Sequence, residues 1–324
     1  MRILLIDNVT NDQAIEAMRQ VGEWLARESI AYDSASGLDL SQFAADIDTY
    51  DLICTFGGDG TILRAVQLIG SSGVPLLSYN FGQLGFLAGA AGDDIIPAIK
   101  ASISGQAQID ARTMLSARVE FTDGTSLEQL GLNELAVTRG NFGRIVALDL
   151  EVNGTPIDTV RGDGMLVSTP TGSTAYALSA GGPLIAPGYE GLCVVPISPH
   201  SLNTRAIIIA PGDVISLRPN SRNRQPLALF IDGQDVLAAP AGTGMSFAGD
   251  DGVEMIAGSW PAQASDTTQS VSQAQAADPG QVLNPVRNIE RIEIRTSSHK
   301  LKLLRPAPYD FYDHIAATFF RSNP

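Results

Sequence analysis

The residues best suited to chemistry in this chain are two aspartates enclosed by glycines: Asp59 in Gly57-Gly58-Asp59-Gly60-Thr61, and Asp163 in Gly162-Asp163-Gly164. Glycine lets backbone approach a ligand closely because no Cβ intervenes. Where such a turn opens a helix, the first N–H groups point outward unpaired and attract anions. A carboxylate there repels a phosphate, so Asp59 suits a hydroxyl proton or a metal ion; the plain alternative is an N-cap or turn former. The spacing is not a Walker loop, because no Lys and Ser/Thr pair follows the glycines. Nor is it the spaced-glycine dinucleotide fingerprint.

Two more polar clusters interrupt apolar runs. Asn133-Glu134 lies inside LGLNELAVT. Neighbours on a strand face opposite ways, so the pair belongs at a strand end or bulge, or is a solvated edge pair. Residues 165–168 read as a strand running into Thr169-Pro170-Thr171-Gly172-Ser173-Thr174, dense in hydroxyls, and then into helical composition at Ala175, Tyr176, Ala177 and Leu178. Pro and Gly force the turn. Its hydroxyls and amides are expected to face a purine, a ribose or a phosphate, although such loops also serve as simple caps.

These groups need elements to hold them. Leu52–Phe56 reads as a buried strand, and after the glycine turn Ile62, Leu63, Val66 and Ile69 recur at helical spacing. Residues 3–6 form an earlier strand. Thr10 or Asn11 caps a helix with Ala14, Ile15, Met18, Val21 and Leu25 on its core face. Residues 33–49 form a looser polar segment, and 74–79 a third strand. This order predicts a parallel α/β unit, whose ligands gather at the carboxyl ends of its strands. The glycine loop of NFGQLGF (80–86) is expected to fold near the first turn, and a short helix at about 93–104 leads out.

From Met114 the period becomes two. Leu115, Ala117, Val119 and Phe121 alternate up to Asp123-Gly124, and Val146, Leu148, Leu150 and Val152 up to Asn153-Gly154, both hairpin turns. Further strands are expected at 206–209, 214–217, 228–231 and 291–304. The expected domains are therefore 1–105, an α/β unit with the glycine turn, and 106–304, a β-rich unit with a flexible insertion at about 239–287. Residues 305–324 close the chain with a helix at 309–320 that places Phe311, Ile315 and Phe319 on one face.

A length of 324 residues suits roughly two domains. With 44% hydrophobic and 17% charged residues the chain is a folded globular type. A net charge of −14 without any basic run argues against nucleic acid and anionic membrane as primary partners. No apolar run is long enough to span a bilayer, and the first apolar run is too short for a signal core, so a cytoplasmic location is expected. Cys54 and Cys193 sit far apart in apolar stretches and read as buried free thiols. No residues have zinc-ligand spacing.

The motifs, in this order, resemble the NAD kinase family: GGDGT at 57–61, Asn133-Glu134, and GDG…STPTGSTAY at 162–176. NFGQLGF at 80–86, PISPHSL at 196–202 and Asp-Gly-Gln at 232–234 support the likeness, which covers most of the chain outside 33–49 and 239–287. GGDG alone is shared with lipid, sphingoid and phosphofructo-kinases; the hydroxyl-rich loop is more specific.

The resemblance implies a Rossmann-like α/β N-terminal domain and a β-rich antiparallel C-terminal domain, with the last helix returning to the first. It implies transfer of a phosphoryl group to the 2′-hydroxyl of the NAD adenosine ribose, giving NADP. ATP would be the donor with Mg²⁺ or another divalent ion, polyphosphate being an alternative donor in part of the family. Asp59 would accept the hydroxyl proton. Gly57, Gly58, Gly60 and Thr61 would cradle phosphate, Gly60 would also touch the dinucleotide, and Arg64 would neutralise phosphate charge. Asn133 and Glu134 would grip the adenine and a ribose. Arg161, Asp163, Thr174, Ala175, Tyr176, Ala177, Leu178 and Ser179 would line the NAD pocket, joined by Ser198 and Gln234. A homo-oligomer, dimer or tetramer, is expected. The insertion directly after Asp-Gly-Gln departs from the family pattern and bears on Gln234. Two other readings stand beside this one: a related lipid or sphingoid kinase, and a non-catalytic NAD-sensing protein.

Overall fold

Alternation along RILLID sets the layers of the N-terminal half. In β1 (Arg2–Asp7), Leu4 and Ile6 join one buried cluster and Ile3 and Leu5 another, on opposite faces. The computed structural model describes residues 1–7, 11–36, 40–81, 85–91, 95–140, 145–223, 225–237 and 288–321. After β1 come α1 (Asp12–Arg27), β2 (Ala31–Ser36), a 3-10 helix at Ser41–Thr49, β3 (Leu52–Phe56), α2 (Asp59–Ile69), β4 (Leu76–Asn80), β5 (Ala90–Ala91) and α3 (Ile95–Ile103). Strands β4, β3, β1 and β2 pair in parallel in that spatial order. Helix α2 covers the Leu4 face, and α1 and α3 cover the Ile3 face. Covered on both sides, the central strand reads as one apolar run, LICTF.

Several local expectations shift. Asn11 is the cap of α1, its side chain accepting the N–H groups of Gln13 and Ala14. Ile15 is exposed and Trp24 is buried in its place, because Ile15 sits a hundred degrees round the helix from Ala14. The polar segment at 33–49 contains most of β2 and the 3-10 helix. Strand β2 lies at a sheet edge with only Ala35 buried, so it carries no alternating signal. Helix α2 starts at Asp59 rather than Ile62, with Gly58 as its N-cap. Thr10, residues 82–84, Asp93 and the expected insertion at 239–287 lie outside the described residues.

The second half continues with β6 (Gln108–Phe121), β7 (Ser126–Gly131), β8 (Glu134–Arg139), β9 (Val146–Val152), β10 (Thr155–Gly162), β11 (Gly164–Ser168), a 3-10 turn at Thr171–Thr174, α4 (Tyr176–Ser179), β12 (Leu192–Ile197), β13 (Ile207–Ile209), β14 (Ile215–Pro219), β15 (Leu227–Ile231), β16 (Gln234–Asp235) and β17 (Ile289–Arg305). Both expected hairpins form. Asn153 and Gly154 take φ of 51° and 74°, the backbone an Asn-Gly turn favours. Strands β13, β12, β11, β8, β15 and β16 make one antiparallel sheet. It packs on the sheet of β10, β9, β14, β17, β6 and β7, with Leu115, Val119, Leu148, Leu217 and Ile292 meeting Val137, Val167, Val194 and Leu229 in a shared core.

Strand β17 joins the two halves. It pairs with β14 and β6, and at its far end Leu303 pairs in parallel with Leu76 of β4. The chain then reaches α5 (Phe311–Ile315) and a π turn at Ala316–Phe320, shorter elements than the single helix expected. Phe311, His314 and Phe319 surround Phe86 from the segment after β4, so the chain end does return to the N-terminal half.

Candidate active site

Strand β3 delivers the chain into Gly57, whose φ of 153° is a conformation glycine tolerates and whose N–H donates to the Tyr79 carbonyl at 2.9 Å. Gly58 then caps α2, its carbonyl accepting from Thr61 and Ile62 at 3.0 and 3.3 Å. Asp59, Gly60 and Thr61 form the first helical turn, so this anion-attracting end carries a carboxylate. A Cβ built on Gly58 or Gly60 meets nothing within 4 Å among the described residues. Protein packing demands neither glycine, which leaves open space for a ligand against the backbone.

The Asp59 carboxylate is held by no hydrogen bond or charge partner among the described residues. Partial burial alone pushes its pKa above the usual carboxylate range. Its Oδ1 lies 3.3 Å from where a Cβ on Gly85 would stand, so the segment after β4 does fold against the first turn. Arg64, one turn along α2, donates to the Thr61 hydroxyl at 3.3 Å, while its buried Nε has no partner among the described residues. Burial lowers the Arg64 pKa and the charge of Asp7 opposes that shift. Asp7 ends β1, is fully buried, accepts from Ser36 at 3.0 Å and has no partner for Oδ1 among the described residues. Nothing in the local spacing distinguished Asp7, since a strand-end Asp is ordinary turn chemistry.

Asn133 and Glu134 sit at the turn from β7 into β8, the strand-end placement. Asp232, in the hairpin between β15 and β16, lies beneath them. Its carboxylate accepts the N–H groups of Leu132 at 2.8 Å, Asn133 at 2.7 Å and Glu134 at 3.2 Å, and Gln67 Nε2 at 3.3 Å. Gln67 belongs to α2, so the helix that starts at Asp59 is tied to this turn, and it also donates to the Leu130 carbonyl at 3.2 Å.

The hydroxyl-rich loop holds the same turn from the other side. Thr169 Oγ1 donates to the Leu132 carbonyl at 2.5 Å, and its N–H to Asn133 at 2.9 Å. Ser168 donates to the Thr169 carbonyl at 2.8 Å, Ser173 to Pro170 at 2.6 Å and Thr174 to Thr171 at 3.1 Å. This corrects the expectation that the hydroxyls face a ligand. They are mostly buried, and a buried hydroxyl must find a partner, here the main chain. Thr171 Oγ1 is the buried hydroxyl of this loop without one. Gly172 has to be glycine, because a Cβ would stand 2.0 Å from the Asn133 carbonyl oxygen.

A cavity of about 740 Å³ opens beside this turn. Of the residues expected from sequence it brings together Glu134, Asp163, Tyr176, Ser179 and Ser198. It adds Arg139 and Phe230, which the motifs did not mark, and Pro199 and Gly233 from the supporting PISPHSL and Asp-Gly-Gln motifs. Arg139 pairs with Asp163 at 3.2 Å, a cation at the end of LAVT that complements the second Gly-Asp-Gly. Ser198 holds a φ of 45°, turning the chain at the rim. Arg161 is exposed on β10, and its carbonyl accepts the His200 N–H at 2.8 Å. Thr174, Ala175 and Leu178 are half-buried around α4, and Gln234 is half-buried in β16. The Ala177 side chain lies in a core cluster with Leu166, Val195 and Ile197. Asp59, Gly60, Arg64 and Asn133 are not part of the cavity wall. The link between the two regions is α2 with its Gln67–Asp232 contact.

Burial, reinforced by the Asp232 charge, pushes the Glu134 pKa up to about 8. Its Oε2 is buried without a partner among the described residues. The group is therefore a neutral acid near pH 7, able to donate as well as accept. No group of three or more His, Cys, Asp or Glu converges among the described residues. Both cysteines are free and buried, and burial raises each thiol pKa, Cys193 to about 11. No helix among the described residues is long and apolar enough to cross a membrane.

Comparison with known proteins gives the family. Residues 39–107 match the ATP-NAD kinase N-terminal domain, and residues 132–250 match the ATP-NAD kinase C-terminal domain. An NAD kinase of Thermoanaerobacter sp. (strain X514) is 36% identical over 241 residues, covering 72% of this chain and 85% of the relative. That of Caldanaerobacter subterraneus subsp. tengcongensis is 35% identical over 247 residues, with the same shares of each chain. Among solved structures, yeast NADH kinase complexed with NADH matches at 22% identity with a TM-score of 0.72, covering 100% of this chain and 89% of that one. An Archaeoglobus fulgidus NAD kinase in complex with ATP matches at 21% with a TM-score of 0.63, covering 94% of each chain. These two likenesses concern the fold. With GGDGT opening α2 and the STPTGSTAY loop bracing the Asn133-Glu134 turn, the chain belongs to the NAD kinase family.

Proposed function

We propose that this protein phosphorylates the 2′-hydroxyl of the NAD adenosine ribose, with ATP as donor, giving NADP and ADP. The observation that carries this reading is the Asp59 carboxylate. It stands at the first turn of α2 without a partner among the described residues, beside backbone that Gly58 and Gly60 leave open.

The adenosine end of NAD enters the cavity beside Glu134, where the unpaired Oε2 meets a polar group of the nucleoside. Tyr176, exposed at the rim, offers a flat face to a ring. The 2′-hydroxyl is held by Asp59, which takes its proton late in a loose transfer. The ribose oxygen bonds to the γ-phosphorus, the bond to the bridging oxygen breaks, and that electron pair leaves on ADP. A raised pKa makes Asp59 a stronger base than an ordinary aspartate. The N-terminal amides of α2 and Arg64 face the donor phosphates. A divalent ion, Mg²⁺ by preference, would ride on those phosphates and neutralise their charge.

The test is incubation of purified protein with NAD, ATP and Mg²⁺, with NADP read by an NADP-specific dehydrogenase. NADP formation supports the reading. NAD binding by calorimetry without NADP would favour a sensor, and absence of both would favour a related lipid or sphingoid kinase. The same assay with polyphosphate and with NADH defines donor and acceptor range. A cytoplasmic homo-oligomer completes the proposal, its size to be read by sedimentation.

A further inference from the structure

A second pocket, of about 400 Å³, opens where the start of β6, the end of β17 and α5 meet. It shares no residue with the Glu134 cavity. Arg112 and Arg305 lie in its wall, only 1% and 3% exposed. Both are held by one carboxylate. Arg112 donates to Asp110 through Nε at 2.9 Å and Nη2 at 2.7 Å, and Arg305 Nε donates to Asp110 at 3.2 Å. Arg305 places its remaining nitrogens on the carbonyls of Ala88 and Phe86. Its plane also covers the Tyr309 ring at 4.1 Å.

Two donors are left over. Arg112 Nη1 makes no hydrogen bond among the described residues. The Tyr309 hydroxyl is buried; Arg112 lies at its oxygen and favours loss of its proton, and the O–H has no acceptor among the described residues. Charge is unbalanced as well, with two guanidiniums against one carboxylate. Burial and the neighbouring Arg112 charge both lower the Arg305 pKa. A surplus buried charge is costly unless it is paired. A structural latch between β6 and β17 would be satisfied by one arginine; the second leaves an anion-sized deficit. Ala186, Pro187, Gly188 and Tyr312 form part of the facing wall, with room for a small molecular body beyond the oxyanion.

We propose that this pocket binds the oxyanion group of a small molecule, a carboxylate or a phosphate, with Arg112 Nη1 and Tyr309 Oη as donors. A guanidinium already fixed by its neighbours presents that nitrogen at little entropic cost.

The test compares the full chain with its Tyr309→Phe variant by calorimetry, using inorganic phosphate and malonate as probes. Replacing Arg112 endangers the fold, because it holds Asp110. Tyr309→Phe removes one donor and keeps the ring under Arg305, and an unchanged thermal midpoint without anion verifies the fold. Phosphate also has access to the glycine turn, so the difference between the two proteins is the readout. A saturable site that weakens about tenfold in Tyr309→Phe supports the proposal, and the probe that shows it tells phosphate from carboxylate. Isotherms that coincide for both proteins, with both probes, overturn it. This outcome is independent of NADP formation.

Discussion

Asp232 Oδ1 accepts the main-chain N–H of Asn133 at 2.7 Å, across 99 residues of sequence. Three consecutive amides and Gln67 converge on this one buried carboxylate. Such charge-assisted bonds are the strong ones, and they fix where Glu134 stands. Asp232→Asn tests this with little backbone cost, because Asn tolerates the φ of 49° found here. We expect a loss of about 2–4 kcal/mol in denaturant unfolding. KM for NAD should rise more than kcat falls, since the damage is to the binding turn.

Asp59→Asn keeps shape and removes the base. Turnover should fall about 10²–10⁴-fold. NAD affinity by calorimetry should stay within a few-fold. Near-normal turnover in the variant would remove Asp59 from its role.

Glu134 gives the chain a pH signature. Its ordinary pKa near 4.5 is raised to about 8 in the folded protein. Between those values the unfolded chain has released the proton that the native chain keeps, so ν_U is below ν_N and stability falls as pH rises. Urea midpoints from pH 5 to 8.5 should decline through this window. Glu134→Gln, neutral at every pH, should flatten the decline. An identical slope in both proteins would place the titration elsewhere.

Two glycines should answer oppositely to alanine. Gly172→Ala drives a Cβ to 2.0 Å from the Asn133 carbonyl oxygen, a backbone atom that cannot yield. A cost of about 3 kcal/mol or more, or failure to fold, is expected. Gly60→Ala meets open space in a helical first turn, so the thermal midpoint should hold or rise. Its KM for NAD should nevertheless increase, because the new methyl stands where ligand approaches. Unchanged kinetics would show that Gly60 is not at the ligand surface.

What the sequence determined by itself was local. The Asn-Gly turn at 153–154, the alternation of Leu115, Ala117 and Val119, and the LICTF strand feeding a glycine turn were all legible, because turn chemistry and side-chain period act over a few residues. The motif order also marked Asp59, Glu134, Asp163 and Tyr176. Edge strand β2 was not legible, because an exposed edge strand has no apolar face to alternate. Tertiary structure alone decided which way the hydroxyls point. Ser168, Thr169 and Ser173 look ligand-facing by type, and burial turns them onto main-chain carbonyls instead. It alone brought Asp232 beneath Asn133, tied Gln67 of α2 to that turn, ran β17 from its antiparallel partners β14 and β6 to the parallel strand β4, and gathered Arg112, Arg305 and Tyr309 around one pocket. Each of these depends on contacts between residues distant in the chain. They form only when the two halves bury their apolar faces together, and no local period records them.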